Sequence, residues 1–64
     1  LFMKNLTEKI KKANDKRKQL KAEIKDIRPL VFLFKDNEAT VKYDKLIDEY
    51  KSIKSELFSL LEQL

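Results

Sequence analysis

Residues 24–46 read IKDIRPLVFLFKDNEATVKYDKL. Two hydrophobic rhythms meet in this stretch and fall out of phase. Upstream, the apolar positions are Met3, Leu6, Ile10, Ala13, Leu20, Ile24, Ile27, Val31 and Phe34, with Arg17 as the single polar member. They step by three and four without a slip, which is the heptad signature of a helix with a continuous apolar seam. Met3, Ile10, Arg17, Ile24 and Val31 occupy the a column, and the others occupy d. Downstream, Tyr43, Leu46, Tyr50, Ile53, Leu57, Leu60 and Leu64 keep the same alternation in a new frame. Continuing the first frame would put Glu38 and Lys45 in the core, so the helix must break between Phe34 and Tyr43.

Lys35-Asp36-Asn37-Glu38 is the one cluster of turn-prone residues there. Asn37 tolerates the left-handed backbone that ends helices. The spacing predicts helix 1 over about 5–34, a turn over about 35–39 and helix 2 over about 40–64. Asn5 followed by Glu8 has the spacing of a capping box and marks the expected start of helix 1. Pro29 is the rival turn, because a proline in a helix loses a hydrogen bond and clashes with the preceding turn at about 3 kcal/mol. The heptad nevertheless runs through Pro29 with the proline at the outward f position, so the later turn is favoured. The fold class is all-α, an antiparallel helical hairpin or coiled coil.

Composition supports this and removes several function classes. The chain has 64 residues, no Gly, one Pro, and 41% charged side chains. Such a chain buries only about 60% of its unfolded surface and usually needs a disulfide, a metal or a partner. There is no Cys and no His, which removes disulfides and most zinc or iron sites. Asp36, Asn37 and Glu38 lack the glycine turn and spacing of a calcium loop. No catalytic residue, metal ligand, cofactor or small-molecule partner is expected, and the chain is not expected to be an enzyme. Tyr43 and Tyr50 have no neighbouring base, so they are expected to pack with their hydroxyls at the rim. The longest apolar run, Leu30 to Phe34, is far below the roughly 18 residues of a membrane span, and no membrane partner is expected. The missing Cys fits a cytoplasmic location. A chain that begins at Leu1 is expected to be a segment of a larger protein.

That leaves association as the source of extra stability, and a homo-oligomer, a dimeric four-helix assembly, is expected. With a turn centred near Glu38, Val31 meets Leu46, Ile24 meets Ile53 and Ala13 meets Leu64. Met3, Leu6 and Ile10 then have no intramolecular partner. A register one heptad tighter would cover down to Leu6 but would force the turn onto Phe34 and Lys35. Phe32, Leu33, Phe58 and Leu61 lie outside the seam in both cases. These seven residues are the candidate self-association positions.

Charge is unevenly distributed. Residues 1–34 hold ten Lys/Arg and four Asp/Glu; residues 35–64 hold five and seven. A basic helix beside a mildly acidic one suits a hairpin. Lys4, Lys11, Lys18 and Lys25 recur every seven residues as a b-column stripe, with about 10.5 Å between successive members. Such a stripe can track a nucleic-acid backbone through salt-dependent, sequence-blind contacts, although no aromatic residue interleaves for base stacking. The competing expectation is a solvated, solubilising face. Arg17, at an a position, either specifies register or packs its stem and turns its head toward an acid such as Glu56.

KQLKAEIKDIRPL, residues 18–30, and YDKLIDEYKSIK, residues 43–54, resemble the C-terminal helical tails of plasmid mobilisation relaxases. Those tails read as a Lys/Glu helix, an R/K-P-L step and a Tyr-containing second helix. The likeness covers a little over half of the chain. It implies an accessory interaction or oligomerisation region of a DNA-mobilising protein, outside the nuclease domain. The family's catalytic Tyr and His metal cluster have no counterpart here, and no residue role carries over.

Overall fold

A computed structural model describes the backbone of residues 2–64 and the side chains of residues 5–64. Two helices account for nearly all of it: α1, Phe2–Phe32, and α2, Asn37–Glu62. They pack along their length into a hairpin with extents of 49 × 14 × 13 Å. No strand occurs among the described residues. At 1.5 Å per residue, the 31 residues of α1 span about 46 Å, so the rod is one helix long.

Pro29 lies inside α1. It sits on the exposed side and in the last turn, where its missing N–H removes one bond near the frayed end of the helix. Its carbonyl accepts from the Leu33 N–H (2.9 Å) and the Phe34 N–H (3.2 Å). The chain then reverses over residues 33–36. Lys35 takes the left-handed backbone (φ 52°), and the Asp36 N–H reaches back to the Leu30 carbonyl (3.0 Å). The left-handed residue is therefore Lys35, not Asn37.

Asp36 begins α2 as its N-cap. Its Oδ1 accepts the Ala39 N–H (2.9 Å), and its carbonyl accepts both the Thr40 N–H (3.0 Å) and the Thr40 hydroxyl (2.9 Å). Glu38 in the first turn adds a favourable charge at the positive end of the helix dipole. This cap starts α2 three residues earlier than the spacing predicts. At the other end Gln63 closes the helix, its N–H bonded to the Leu60 carbonyl (3.1 Å), so residues 63 and 64 lie outside it.

Two further boundaries differ from expectation. α1 is already helical at Phe2, so Asn5 is an interior residue and not a cap. No breaker precedes it. α1 also stops at Phe32, which leaves Phe34 in the turn at 71% exposure and not in the d column.

The short turn selects the tighter register. Counting outwards from its centre, Val31 lies level with Ala39, Ile24 with Leu46, Leu20 with Tyr50 and Ala13 with Leu57. By the same count Leu6 comes level with Leu64, just past the end of α2, and it is only 4% exposed. Leu6 therefore does not lack intramolecular cover. The energetics favour this choice. A left-handed non-glycine residue costs about 1–2 kcal/mol, whereas each buried Leu or Ile contributes about 1.5–3 kcal/mol. One extra heptad of overlap adds two core layers.

The buried core is Leu6, Ala13, Leu20 and Ile27 from α1, with Ala39 and Leu46 from α2. Every one of these is a d residue. Ile24, Val31, Tyr43, Tyr50 and Ile53 pack against it while half-buried.

Candidate interaction surface

The two faces of the hairpin are not equivalent, and the heptad explains why. The a column lies about 50° round the helix from d, with e beyond it; g and c lie on the other side. In an antiparallel pair the e columns of both helices flank one face and the g columns flank the other. The second face is directly visible in the structure. Glu23, Asp26 and Leu30 of α1 share a groove with Glu38 and Lys42 of α2, and Lys16 and Glu23 share another with Glu49. All are c or g residues.

The opposite, a/e face carries a continuous row of half-buried apolar residues, whereas the exposed Leu30, Leu33 and Val41 are isolated on the other sides. On α1 every described d residue through Ile27 is buried, while Ile10, Arg17, Ile24 and Val31 at a are all half-buried. On α2, Tyr43, Tyr50 and Leu57 at a are half-buried, and so is Ile47 at e. The result is a shallow groove running between the helices with an apolar floor. Phe32, from the b column of α1, leans over its turn-proximal end and meets Tyr43 edge to face, with ring centroids 5.6 Å apart at 83°. Phe58 and Leu61 line its far end on α2, 56% and 42% exposed.

One polar layer interrupts the floor. The Arg17 guanidinium donates from Nε (3.2 Å) and Nη2 (2.9 Å) to Oδ1 of Asn14, the e residue one turn earlier. Arg17 thus turns to its own helix and not to Glu56. Glu56 is a g residue and belongs to the other face.

Charge follows the same division. The rim on α1 consists of Lys11, Lys18 and Lys25 at b with Lys21 and Arg28 at e, all exposed. α2 adds Lys51 and Lys54 against the single acid Asp44. With Arg17, the described a, e and b positions hold eight cations and one acid. The c and g positions hold five of each, and the outward f positions hold four acids and no cation. The net positive charge of the chain is therefore concentrated around the apolar groove.

The expected self-association residues separate. Leu6 is in the core, and Ile10 is on the groove floor. Phe32 and Leu33 lie at the turn end of the rod, and Phe58 and Leu61 at the other. Of the lysine stripe, Lys11, Lys18 and Lys25 are exposed along one rim. The side chains of Met3 and Lys4 lie outside the described residues. Ile47, Tyr43 and Tyr50 were not marked as surface positions by the heptad. The signal was Ile47, an apolar e residue beside an already complete seam.

No helix among the described residues is long and apolar enough to cross a membrane. No group of three or more His, Cys, Asp or Glu among them could hold a metal ion. No protein-family model, curated protein or solved structure matches the chain.

Proposed function

We propose that this hairpin is a coiled-coil interaction module that works by packing further helices onto its a/e face. The observation that carries this reading is the asymmetry of the seam: the d residues from Leu6 to Ile27 of α1, with Ala39 and Leu46 of α2, are covered by the hairpin itself, whereas a residues are half-open on both helices, and Ile53 and Leu60 at d of α2 are half-open with them. Two helices alone leave that row of apolar surface in water, and each large side chain gains about 1.5–3 kcal/mol when fully covered. A third or fourth helix laid in the groove continues the same knobs-into-holes packing. A dimeric four-helix assembly is one way to supply it. Placement of the module in a DNA-mobilising protein, as a non-catalytic tail, rests on the resemblance of residues 18–54 to relaxase tails, and a cytoplasmic location on the absence of Cys.

Sedimentation equilibrium across a dilution series, alone and with amphipathic helical peptides, tests the module. A complex, homomeric or heteromeric, that is lost on Ile47→Asp is the expected result. A chain that stays monomeric and binds no helix would remove the reading.

The runner-up is a basic module that grips nucleic-acid phosphates. It is supported by the exposure of Lys11, Lys18 and Lys25 at heptad spacing. That reading expects duplex DNA binding whose affinity falls steeply with salt. It leaves the apolar groove without a purpose.

A further inference from the structure

More than one kind of helix has the shape to fill the groove. Granting the interaction-module reading, we infer that the occupant is an acidic amphipathic helix of another chain or domain, and not a second copy of this hairpin. Charge selects the occupant. The groove floor is apolar, and its rims are lysine and arginine on the α1 side almost without relief. A helix with apolar a and d residues and carboxylates at e and g would bury its stripe on Ile24, Tyr43, Ile47 and Tyr50. Its flanking acids would reach Lys21, Arg28 and Lys54.

A second copy presents the same face. Every symmetric face-to-face packing brings eight cations up to eight, with one acid on each side. The acids of this chain that might offset them are elsewhere. Four occupy f positions on the outside of the rod, and five more alternate with lysines on the c/g face. Like-charge juxtaposition of this kind suppresses a partner as effectively as complementary charge recruits one.

The floor itself discriminates further. Asn14 engages Nε and Nη2 of Arg17, and the guanidinium is half-buried at mid-groove. A partner carboxylate at that layer would complete a charge-assisted pair and fix the register of the incoming helix. Another apolar residue there would leave the charge unpaired and more deeply buried. DNA could use the rims but would press phosphates against the apolar floor. A lipid surface could take the floor but has no groove-shaped feature to match.

The test compares two designed helical peptides, both with Leu at a and d, one with Glu at e and g and the other with Lys. Binding to the full chain is measured by fluorescence anisotropy at low and high salt. The acidic peptide is expected to bind at least roughly tenfold more tightly than the basic one at low salt, and to weaken as salt rises. Lys21→Glu combined with Arg28→Glu, both exposed and outside the core, should shrink that preference severalfold with helicity unchanged. Equal binding of the two peptides would overturn the inference. So would a homodimer that strengthens with salt, which makes a second copy the occupant and leaves the interaction module standing. Binding only to anionic phosphatidylserine vesicles or duplex DNA, with neither peptide retained, would overturn both the inference and the module.

Discussion

Arg17 and Asn14 form a two-point hydrogen bond, Nε and Nη2 to a single Oδ1, within one turn of α1. The pair gives a charged residue in an apolar column a local partner, so the hairpin tolerates it without an acid from α2. It also keeps the guanidinium on the open face, where it is the only charge on the groove floor among the described residues.

Replacing Arg17 with Leu should therefore stabilise the isolated hairpin. Leu at a half-buried a position gains about 1 kcal/mol, part of the 1.5–3 kcal/mol of full burial. Asn14 stays accessible to water and loses little. Thermal unfolding followed by circular dichroism should show a midpoint about 4–8 °C higher. A lower midpoint would mean that Arg17 makes a stabilising interaction beyond Asn14.

Lys35 is the left-handed residue of the turn. Lys35→Gly removes the clash between Cβ and the following carbonyl, worth about 1 kcal/mol after the entropy of the unfolded chain is counted. A higher urea midpoint with an unchanged m-value is the expected outcome. Lys35→Val should lower the midpoint, because a β-branched side chain is hardest to hold at positive φ.

Asp36 caps α2 through the Ala39 N–H. Asp36→Ala should cost about 1 kcal/mol, and Asp36→Ser should restore most of it. Chemical denaturation of the three proteins checks the order. Equal stability of all three would show that the turn is held by backbone bonds alone.

Pro29 interrupts the hydrogen-bond ladder of α1. Pro29→Ala restores an N–H donor for the Lys25 carbonyl and should stabilise the hairpin by about 1–3 kcal/mol, less toward the frayed end. Hydrogen exchange at residues 25–32 should slow. An unfolded or rearranged product would show that Pro29 itself positions the turn.

The heptads alone make the helical class and the existence of a hairpin legible. An uninterrupted 3–4 alternation has few other solutions, and the phase shift between Phe34 and Tyr43 requires a break. Register was not legible, because it depends on a comparison the pattern does not contain. One left-handed lysine is set against two added core layers, and only the three-dimensional turn decides. The open face was hidden for a related reason. A heptad marks a and d alike as core, whereas the rotation of each helix about its axis determines that Leu20 is buried and Ile24 is half-open. The lysine stripe was visible at b, but its position beside the apolar groove needed the antiparallel pairing of columns.

The most direct measurement is an NMR titration of the ¹⁵N-labelled chain with the acidic amphipathic peptide. The account predicts the largest shift changes at Ile24, Tyr43, Ile47 and Tyr50, with Glu23, Glu38 and Lys42 on the opposite face little affected. Shifts concentrated on the c/g face, or spread evenly along both, would contradict the assignment of the a/e face as the interaction surface.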